Sequence, residues 1–420
     1  MNRKPSLLVV FLTVFIDLIG FGIIVPLVPM YSRHYGASGL MIGIIIASFS
    51  AMQFIFSPIW GRLSDRHGRR PILLISTAGA AISYVIFAIA SAHDNLWLLL
   101  ASRLFAGACG GNITVAQAYV ADISKPEERS KKMGLIGMAF GLGFIFGPAI
   151  SGVMLKFFGA TAPGWAAATL CALNFILAYF ILAESLKPDS TPVANRPRFT
   201  QWSHTLSQPK IGLLIFTFFL ATFAFSCFES TLPLLVSDNF NLGLTKDETA
   251  PAGTVISLFV FCGLIAAFIQ GGAIGKLVKK FGEPKLIAAS LIITGTSLVL
   301  LPLVKGEGAL SWSKVLHLAD TPWLLMLGAL VLLSFGSSLS RAPLFGLLSN
   351  LTPANEQGAT IGVAQSAGSL ARIVGPIFAA TLYDHQHMLP YLICGGISIV
   401  AGVFAFQSLR GIKIPATASK

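Results

Sequence analysis

Long runs without any charged residue constrain this sequence more than its other features. Residues 40–60 and 71–92 contain no Asp, Glu, Lys or Arg, and the ten-residue segment Gly61–Arg70 between them carries four arginines and one aspartate. An apolar run of about 20 residues has the length that an α-helix needs to cross the hydrocarbon of a bilayer. The charged segment cannot lie in hydrocarbon, so we expect it to connect two transmembrane helices.

The overall composition indicates the same class of protein. Of the 420 residues, 55% are hydrophobic and 11% are charged, whereas about 25% are charged in a typical soluble domain. The five cysteines lie inside apolar runs without paired spacing, which is typical of packing residues and not of disulfides or a metal site. No spacing suits a nucleophile and its base or a set of metal ligands. We therefore expect neither an enzyme nor a bound cofactor.

We predict an all-α membrane protein with twelve transmembrane helices. These helices are expected to form two pseudo-symmetric six-helix bundles, residues 1–184 and 210–420, joined by a proline-rich cytoplasmic linker at 185–209. The predicted spans are 7–31, 40–60, 71–92, 95–122, 132–157, 163–184, 210–236, 252–274, 285–304, 322–349, 358–383 and 389–409.

The distribution of basic residues predicts how the spans are oriented. With both termini in the cytoplasm, 21 of the 29 Lys and Arg residues fall on the cytoplasmic side, five fall outside and three lie inside spans. This bias follows the positive-inside rule. The net charge of +12 therefore reflects orientation in a cell membrane, and no nucleic-acid partner is expected.

The second half of the chain repeats motifs of the first half. The pattern of Gly61–Gly68 recurs as Gly275–Gly282 at an offset of 214 residues. The pair at 147–148, Gly-Pro, recurs at 375–376 at an offset of 228 residues. These offsets predict two related halves in parallel orientation, a plan that many secondary transporters share.

Four motifs, in order along the chain, resemble those of the major facilitator superfamily and especially its drug:proton antiporter branch, which includes tetracycline-efflux-like carriers. They are Asp17–Pro29 in the first span, Gly61–Arg70, which is similar to the loop signature G-x-x-x-D-R-x-G-R-R, Arg103–Gly107 in the fourth span, and Gly137–Gly152 in the fifth. The resemblance covers essentially the whole chain. It implies a carrier that exports drug-like small molecules in exchange for protons by alternating access.

Three charged residues inside the predicted spans are candidates for proton coupling, namely Asp17, Arg103 and Glu229. A carboxylate near the middle of a bilayer is costly unless it is paired or protonated, so both acids are suited to exchange protons. The family resemblance implies a role in proton transfer for Arg103, with Asp17 as a plausible partner. The alternative for either acid is a structural role, in an ion pair or at a hydrated interface.

Polar residues in the fourth and eleventh spans are candidates for the substrate cavity, namely Asn112, Gln117 and Arg372. Such groups can orient a ligand in an apolar cavity, but interhelical hydrogen bonding is an equally common use. Arg372 could instead pair with Glu229, and Arg341 in the tenth span could extend to the membrane surface. The residues alone leave these roles open.

The resemblance also implies a cytoplasmic gate and an antiporter helix. The predicted gate residues are Gly61, Asp65, Arg66, Gly68, Arg69 and Asp122, and the predicted antiporter-helix residues are Gly137, Gly141, Gly143, Gly147, Pro148 and Gly152. Arg69 is expected to meet Asp122, and Asp65 is expected to accept hydrogen bonds from a helix N-terminus in the other half. The alternatives are arginines that only set the orientation and glycines that only pack tightly.

The sequence leaves the substrate and the direction of transport open. Tetracycline itself is not expected as cargo, because Ser83 stands where tetracycline carriers have an acid and the ninth span lacks one. The alternatives to export are proton-coupled uptake of a sugar, organic acid or metabolite, and a non-transporting receptor on the same fold. The expected partners are a small-molecule substrate, protons and the lipid bilayer, with the monomer as functional unit.

Overall fold

The structure is a computed structural model that describes residues 5–110, 112–124, 126–186, 198–242, 249–352 and 357–409. Every regular element in these ranges is helical. The helices in chain order are α1 Leu7–Ile24, α2 Leu27–His34, α3 Gly39–His67, α4 Arg69–Ala92, α5 Leu96–Cys109, α6 Asn112–Asp122, α7 Pro126–Phe158, α8 Ala162–Ile181, α9 Arg198–Ser207, α10 Pro209–Asn239, α11 Thr249–Phe268, α12 Ile274–Phe281, α13 Glu283–Leu300, α14 Trp312–Leu316, α15 Thr321–Ser338, α16 Arg341–Leu351, α17 Gln357–His385 and α18 Leu389–Leu409. A π-helix at Ile269–Ala273 connects α11 to α12.

The described helices confirm the prediction of an all-α membrane protein. Within the described ranges, ten helical stretches are long and apolar enough to cross a membrane. They coincide with ten of the twelve predicted spans. The eighth predicted span corresponds to the shorter apolar helix Ala252–Phe268, and the eleventh lies in the 29-residue helix α17.

Three of the predicted spans are interrupted in the structure. The first span breaks between α1 and α2 because Pro26 has no N–H to donate and its ring clashes with the preceding turn. In the fourth span the chain turns at Gly110, directly after α5, and in the tenth it turns at Leu339 and Ser340, between α15 and α16. The turns at Gly110 and Leu339 lie 229 residues apart, so their positions follow the internal repeat of the sequence.

The turns after α3 and α12 share one backbone conformation. Gly68 has φ +96° and ψ 157°, and Gly282 has φ +77° and ψ 154°. Residues with a side chain rarely adopt so positive a φ, whereas glycine does so without a steric penalty. The two turns lie at the offset of the repeated loop motif, so the repeat is present in the backbone as well as in the sequence.

The chain divides into two compact units. The first unit comprises residues 1–193, 230–263 and 307–310, and the second comprises 194–229, 264–306 and 311–420. A buried apolar core in the first unit joins α1, α4, α6, α7 and α8 around Tyr119. A second core joins α10, α13, α16, α17 and α18 around Leu347. The boundaries of the two six-helix bundles stay a prediction.

Helix α9 forms inside the segment that the sequence predicts as a linker. Its ten residues are too few to cross a membrane. Trp202 packs against the core of the second unit, and Thr205 is buried. Part of the linker is therefore a short helix attached to the second unit.

Candidate functional site

Asp17 is the eleventh residue of α1, and its side chain is half-buried. The Asn174 amide on α8 donates one hydrogen bond to Asp17 Oδ1 at 2.8 Å and a second to the Thr13 carbonyl oxygen at 2.9 Å. The buried Cys171 thiol, one turn before Asn174, lies within electrostatic range of the same carboxylate. Helix α8 therefore supplies the amide donor to a carboxylate inside a membrane-spanning helix.

Arg103 on α5 is buried and only 3% exposed. Its guanidinium carbon lies 4.8 Å from the ring centroid of Phe49 and 5.8 Å from that of Phe21, which are cation–π distances. The buried Tyr84 on α4 interacts electrostatically with both Arg103 and Asp17. Asp17 and Arg103, predicted from separate motifs, therefore both lie within electrostatic range of one buried tyrosine, and we call these three residues with Asn174 the Asp17 cluster.

Glycines bring the backbones of α1 and α7 into direct contact. A methyl group built on Gly22 lies 2.5 Å from the carbonyl oxygen of Gly143, and one built on Gly147 lies 2.5 Å from the carbonyl carbon of Gly22. A Cβ built on Gly143 meets the backbone of Leu18 at 2.9 Å. Because Leu18 follows Asp17, the predicted antiporter helix contacts α1 one residue from the acid.

The rest of the glycine motif on α7 has different surroundings. A Cβ built on Gly152 lies 3.0 Å from the Ile256 side chain of α11, whereas one built on Gly141 meets nothing within 4 Å. Gly137 and Pro148 lie within the same long helix. The predicted antiporter-helix residues therefore divide into close-contact positions and at least one open position.

Arg69, at the start of α4, forms a partly buried ion pair with Asp122, at the end of α6. Its Nε lies 3.1 Å from Asp122 Oδ2, and the two side chains are 9% and 23% exposed. Arg69 Nη1 donates to Ser64 Oγ at 2.7 Å, and Ser185 Oγ donates to Asp122 Oδ2 at 3.0 Å. The structure thus brings these two predicted gate residues together. Their role in gating stays a prediction.

Glu184, which sequence reasoning missed, holds the start of α4. Its carboxylate accepts hydrogen bonds from the backbone N–H groups of Arg69 at 2.8 Å and Arg70 at 3.0 Å, the first two residues of that helix. A negative charge at a helix N-terminus is stabilising. A Cβ on Gly68 would collide with this carboxylate, so both the positive φ and the contact require glycine there. The available signal was an acid at the end of a span close to the basic loop.

Other predicted gate and cavity residues are described only in part. The side chains of Asp65 and Asn112 lie outside the described part of the structure. Arg66 is exposed, Gln117 on α6 is half-buried, and a Cβ on Gly61 would have only ordinary van der Waals contact with α6. Their predicted roles therefore rest on the motifs alone.

A second ion pair of the first unit lies at the other end of its spans. Arg33 Nη1 at the end of α2 lies 3.1 Å from Asp238 Oδ2 at the end of α10. The side chains are 34% and 22% exposed, so water screens this pair more than the pair at Arg69. Nearby, the Leu310 N–H donates to Thr254 Oγ1 at 3.3 Å.

Glu229, Arg341 and Arg372 all lie in the second unit. Arg372 of α17 lies within electrostatic range of Arg341 of α16 and Glu229 of α10. Pro376 follows Arg372 by four residues inside α17, so the Arg372 carbonyl has no helical N–H donor. Pro233 stands in the same relation to Glu229 inside α10. Glu229 and Arg372 therefore each lie at a point where a proline removes one hydrogen bond of the helix.

The chemistry available in these clusters is ionic and hydrogen-bonding. Within the described ranges, no group of three or more His, Cys, Asp or Glu side chains is placed to hold a metal ion. The five cysteines are free thiols. The observed groups can bind charges, orient polar ligands and exchange protons.

Several known proteins are similar to this chain over almost its whole length. The sequence model of the Major Facilitator Superfamily matches residues 10–316 and 272–418. The class C tetracycline resistance protein of Escherichia coli is 30% identical over 390 residues, which cover 91% of this chain and 91% of that protein. Multidrug resistance protein 2 of Bacillus subtilis (strain 168) is 29% identical over 405 residues, covering 95% and 94%. The solved structure of the human organic anion transporter MFSD10 (TETRAN) has a TM-score of 0.62 and 24% identity, covering 96% of this chain and 100% of that chain.

Proposed function

Because the chain belongs to the major facilitator superfamily, and is a membrane transporter and not an enzyme, we propose that it exports amphipathic or drug-like small molecules in exchange for protons. Substrate and proton then use the carrier alternately while it opens to one side of the membrane at a time. The names of the tetracycline and multidrug resistance relatives support export. The solved relative is named an organic anion transporter, so the relatives' names leave the charge of the cargo open.

The Asp17 cluster is the observation that carries this proposal. Its carboxylate lies inside a membrane-spanning helix with Asn174 as hydrogen-bond donor, and Arg103 acts on the same Tyr84. In surroundings of low dielectric constant, taking up a proton removes a charge that these groups compensate. Protonation of Asp17 therefore changes the forces between α1, α5 and α8.

The contact between α1 and α7 offers a route from this charge to a movement of helices. Leu18 follows Asp17 and packs against the backbone of Gly143. Closely packed interiors transmit a displacement because they have little free volume. A shift of α1 on protonation would therefore also move α7.

The proposed orientation places the loop Gly61–Arg70 and both termini in the cytoplasm of a multi-pass cell-membrane protein. In this orientation the ion pair of Arg69 with Asp122 belongs to the cytoplasmic gate, together with Asp65. Glu184 fixes the start of α4 beside that pair. The carrier is proposed to work as a monomer, with the proton gradient as its energy source and no cofactor.

The proposal is tested with purified protein in proteoliposomes, an imposed pH gradient and a panel of fluorescent amphipathic compounds. An antiporter moves a compound against the direction of proton flow, and reversing the gradient reverses the transport. Asp17→Asn should abolish the gradient-driven component, and protein-free liposomes measure the passive partitioning of weak acids and bases. Net movement of a compound in the same direction as the protons would contradict antiport.

Proton-coupled uptake is the second candidate function. The two arginines within electrostatic range of one glutamate in the second unit would suit an organic acid as cargo, which fits uptake as well as export. The same proteoliposome assay separates the two candidates, because a symporter moves compound and protons in one direction.

A further inference from the structure

A polar stripe runs along one face of α17. Gln365, Ser369 and Arg372 follow one another at steps of four and three residues, the spacing that places side chains on one helix face. Arg372 Nη2 donates to Ser369 Oγ at 3.4 Å, and Ser369 Oγ donates to the Gln365 carbonyl oxygen at 3.1 Å. Polar groups inside a membrane protein face its interior or a water-filled cavity.

Arg341 lies at the start of the half-helix α16, directly after the break in the tenth span. Helices α16 and α17 pack together in the core of the second unit, through Leu344 and Ala367 among others. Arg341 lies within electrostatic range of Arg372. Both Arg341 and Ala342 are exposed, although they lie within the apolar stretch Thr321–Leu348. The N-terminus of an α-helix adds a partial positive charge, and half-helix N-termini bind anionic groups in other transporters.

The charges in this cluster do not balance. Two guanidinium groups, Arg341 and Arg372, are accompanied by one carboxylate, Glu229. Neither arginine forms an ion pair with an acidic side chain in the part of the chain that the structure describes. A structural pair between Glu229 and one arginine would still leave a second arginine without an acidic partner in a membrane-spanning segment, where charge is costly.

Aromatic side chains lie close to these charges along the helices. Phe345 follows Arg341 by four residues on α16, is half-buried, and packs against Phe218 with 5.1 Å between ring centroids. Phe223 of α10 packs against Phe378 of α17 at 5.4 Å. An amphipathic molecule would find apolar surface on the same helices that carry the arginines.

We propose that Arg341 and Arg372 form a binding site for the anionic group of an amphipathic organic acid, such as a carboxylate. Guanidinium groups bind carboxylates through paired, charge-assisted hydrogen bonds. The bound anion supplies the negative charge that Glu229 alone does not. This inference rests on the proposed transport function, because it names the chemical class of the cargo.

The test compares three dansyl compounds that share one fluorophore and differ in charge. Dansylglycine carries a carboxylate, dansylglycinamide is its neutral amide, and dansylcadaverine carries an amine. Binding to purified wild-type protein in a non-ionic detergent is measured from the environment-sensitive dansyl fluorescence, without a pH gradient. Dansylglycine should bind about tenfold more tightly than dansylglycinamide, the scale of one charge-assisted hydrogen bond. Equal affinities, or preference for dansylcadaverine, would overturn the proposal.

Variants of the two arginines then test whether these residues cause the preference for dansylglycine over dansylglycinamide. Arg341→Gln and Arg372→Gln should each remove it, whereas the lysine variants at these positions should keep part of it. Lys314→Gln loses the same charge at an exposed position outside the cluster and should behave as wild type. Glu229→Gln should tighten dansylglycine binding, because it removes a competing carboxylate. A preference that survives both glutamine variants would refute the assignment.

The outcome is separable from that of the proposed function. Binding is measured without a gradient, so an anion preference in a protein that fails the antiport assay leaves this site in place and removes only antiport. Wild-type discrimination needs no variant, so an unstable glutamine variant does not block the test. Melting temperatures of all variants test the alternative that Arg372 only forms a structural ion pair with Glu229. In that case Arg372→Gln would lower the melting temperature, and the wild-type protein would bind dansylglycine and dansylglycinamide equally well.

Discussion

Replacing Gly22 by alanine tests whether the contact between α1 and α7 needs two bare backbones. The new Cβ would lie 2.5 Å from the Gly143 carbonyl oxygen and 3.2 Å from Gly147 Cα. Both neighbours are backbone atoms inside a helix, so they cannot rotate away as a flexible side chain could. One helix must move by roughly 1 Å to restore ordinary contact, and overpacking of this kind costs about 1–3 kcal/mol.

Gly141→Ala provides the matched control. Gly141 also lies inside a helix, but a Cβ there meets nothing within 4 Å. Both substitutions gain about the same helix propensity, roughly 1 kcal/mol on the scale for soluble helices, so the difference between the variants isolates the contact. Gly22→Ala should therefore be about 1–3 kcal/mol less stable than Gly141→Ala.

The assay is thermal unfolding of the purified variants in detergent, followed by transport in proteoliposomes. A loss of this size corresponds to a melting temperature several degrees lower, at about 2–4 °C per kcal/mol for a unit of 150–250 residues. Gly22→Ala should also slow transport, because the displaced helix carries Asp17. Equal melting temperatures and equal transport rates for the two variants would refute the close-contact interpretation.

Three further predictions concern the ionic and polar contacts. Arg69→Gln should lower stability by about 2–4 kcal/mol, because it leaves the partly buried Asp122 carboxylate without its partner. Arg33→Gln, at the more exposed ion pair, should cost less than about 1 kcal/mol. Equal losses of stability in thermal unfolding would contradict the argument that burial strengthens the first pair. Glu184→Gln should cost about 0.3–1 kcal/mol, since it removes an exposed negative charge from the start of α4, and a wild-type melting temperature would show that this charge contributes nothing. Asn174→Leu removes the amide donor to Asp17 and should reduce gradient-driven transport about tenfold, and transport at the wild-type rate would exclude that donor from the coupling site.

Hydrophobicity and charge placement predicted where the helices lie, because a bilayer imposes length and polarity on each span. The same signals did not predict that the fourth and tenth spans are interrupted. Residues 110–111 are both glycine, which marks a weak point in a helix. The corresponding break at Leu339 and Ser340 has no such local signal, and only the internal repeat would have located it.

Contacts between distant helices were harder to predict than residue types. Asp17 and Arg103 stand out because charge is costly in hydrocarbon, but Asn174 is one neutral polar residue in an apolar span and carries no such warning. Its importance comes from its position opposite Asp17, which depends on how α1 packs against α8. Glu184 was missed for a similar reason, because its partners are backbone N–H groups and carry no sequence signal.

Exchange of cargo for protons at Asp17 is best tested by letting the cargo gradient drive the protons. Proteoliposomes with a trapped pH indicator receive an inward gradient of a transported compound that has no titratable group, with no pH gradient imposed. Antiport predicts that protons leave as the compound enters, so the lumen becomes alkaline, and that Asp17→Asn abolishes the change without preventing compound binding. Acidification of the lumen, or the same alkaline change in Asp17→Asn, would contradict proton exchange through Asp17.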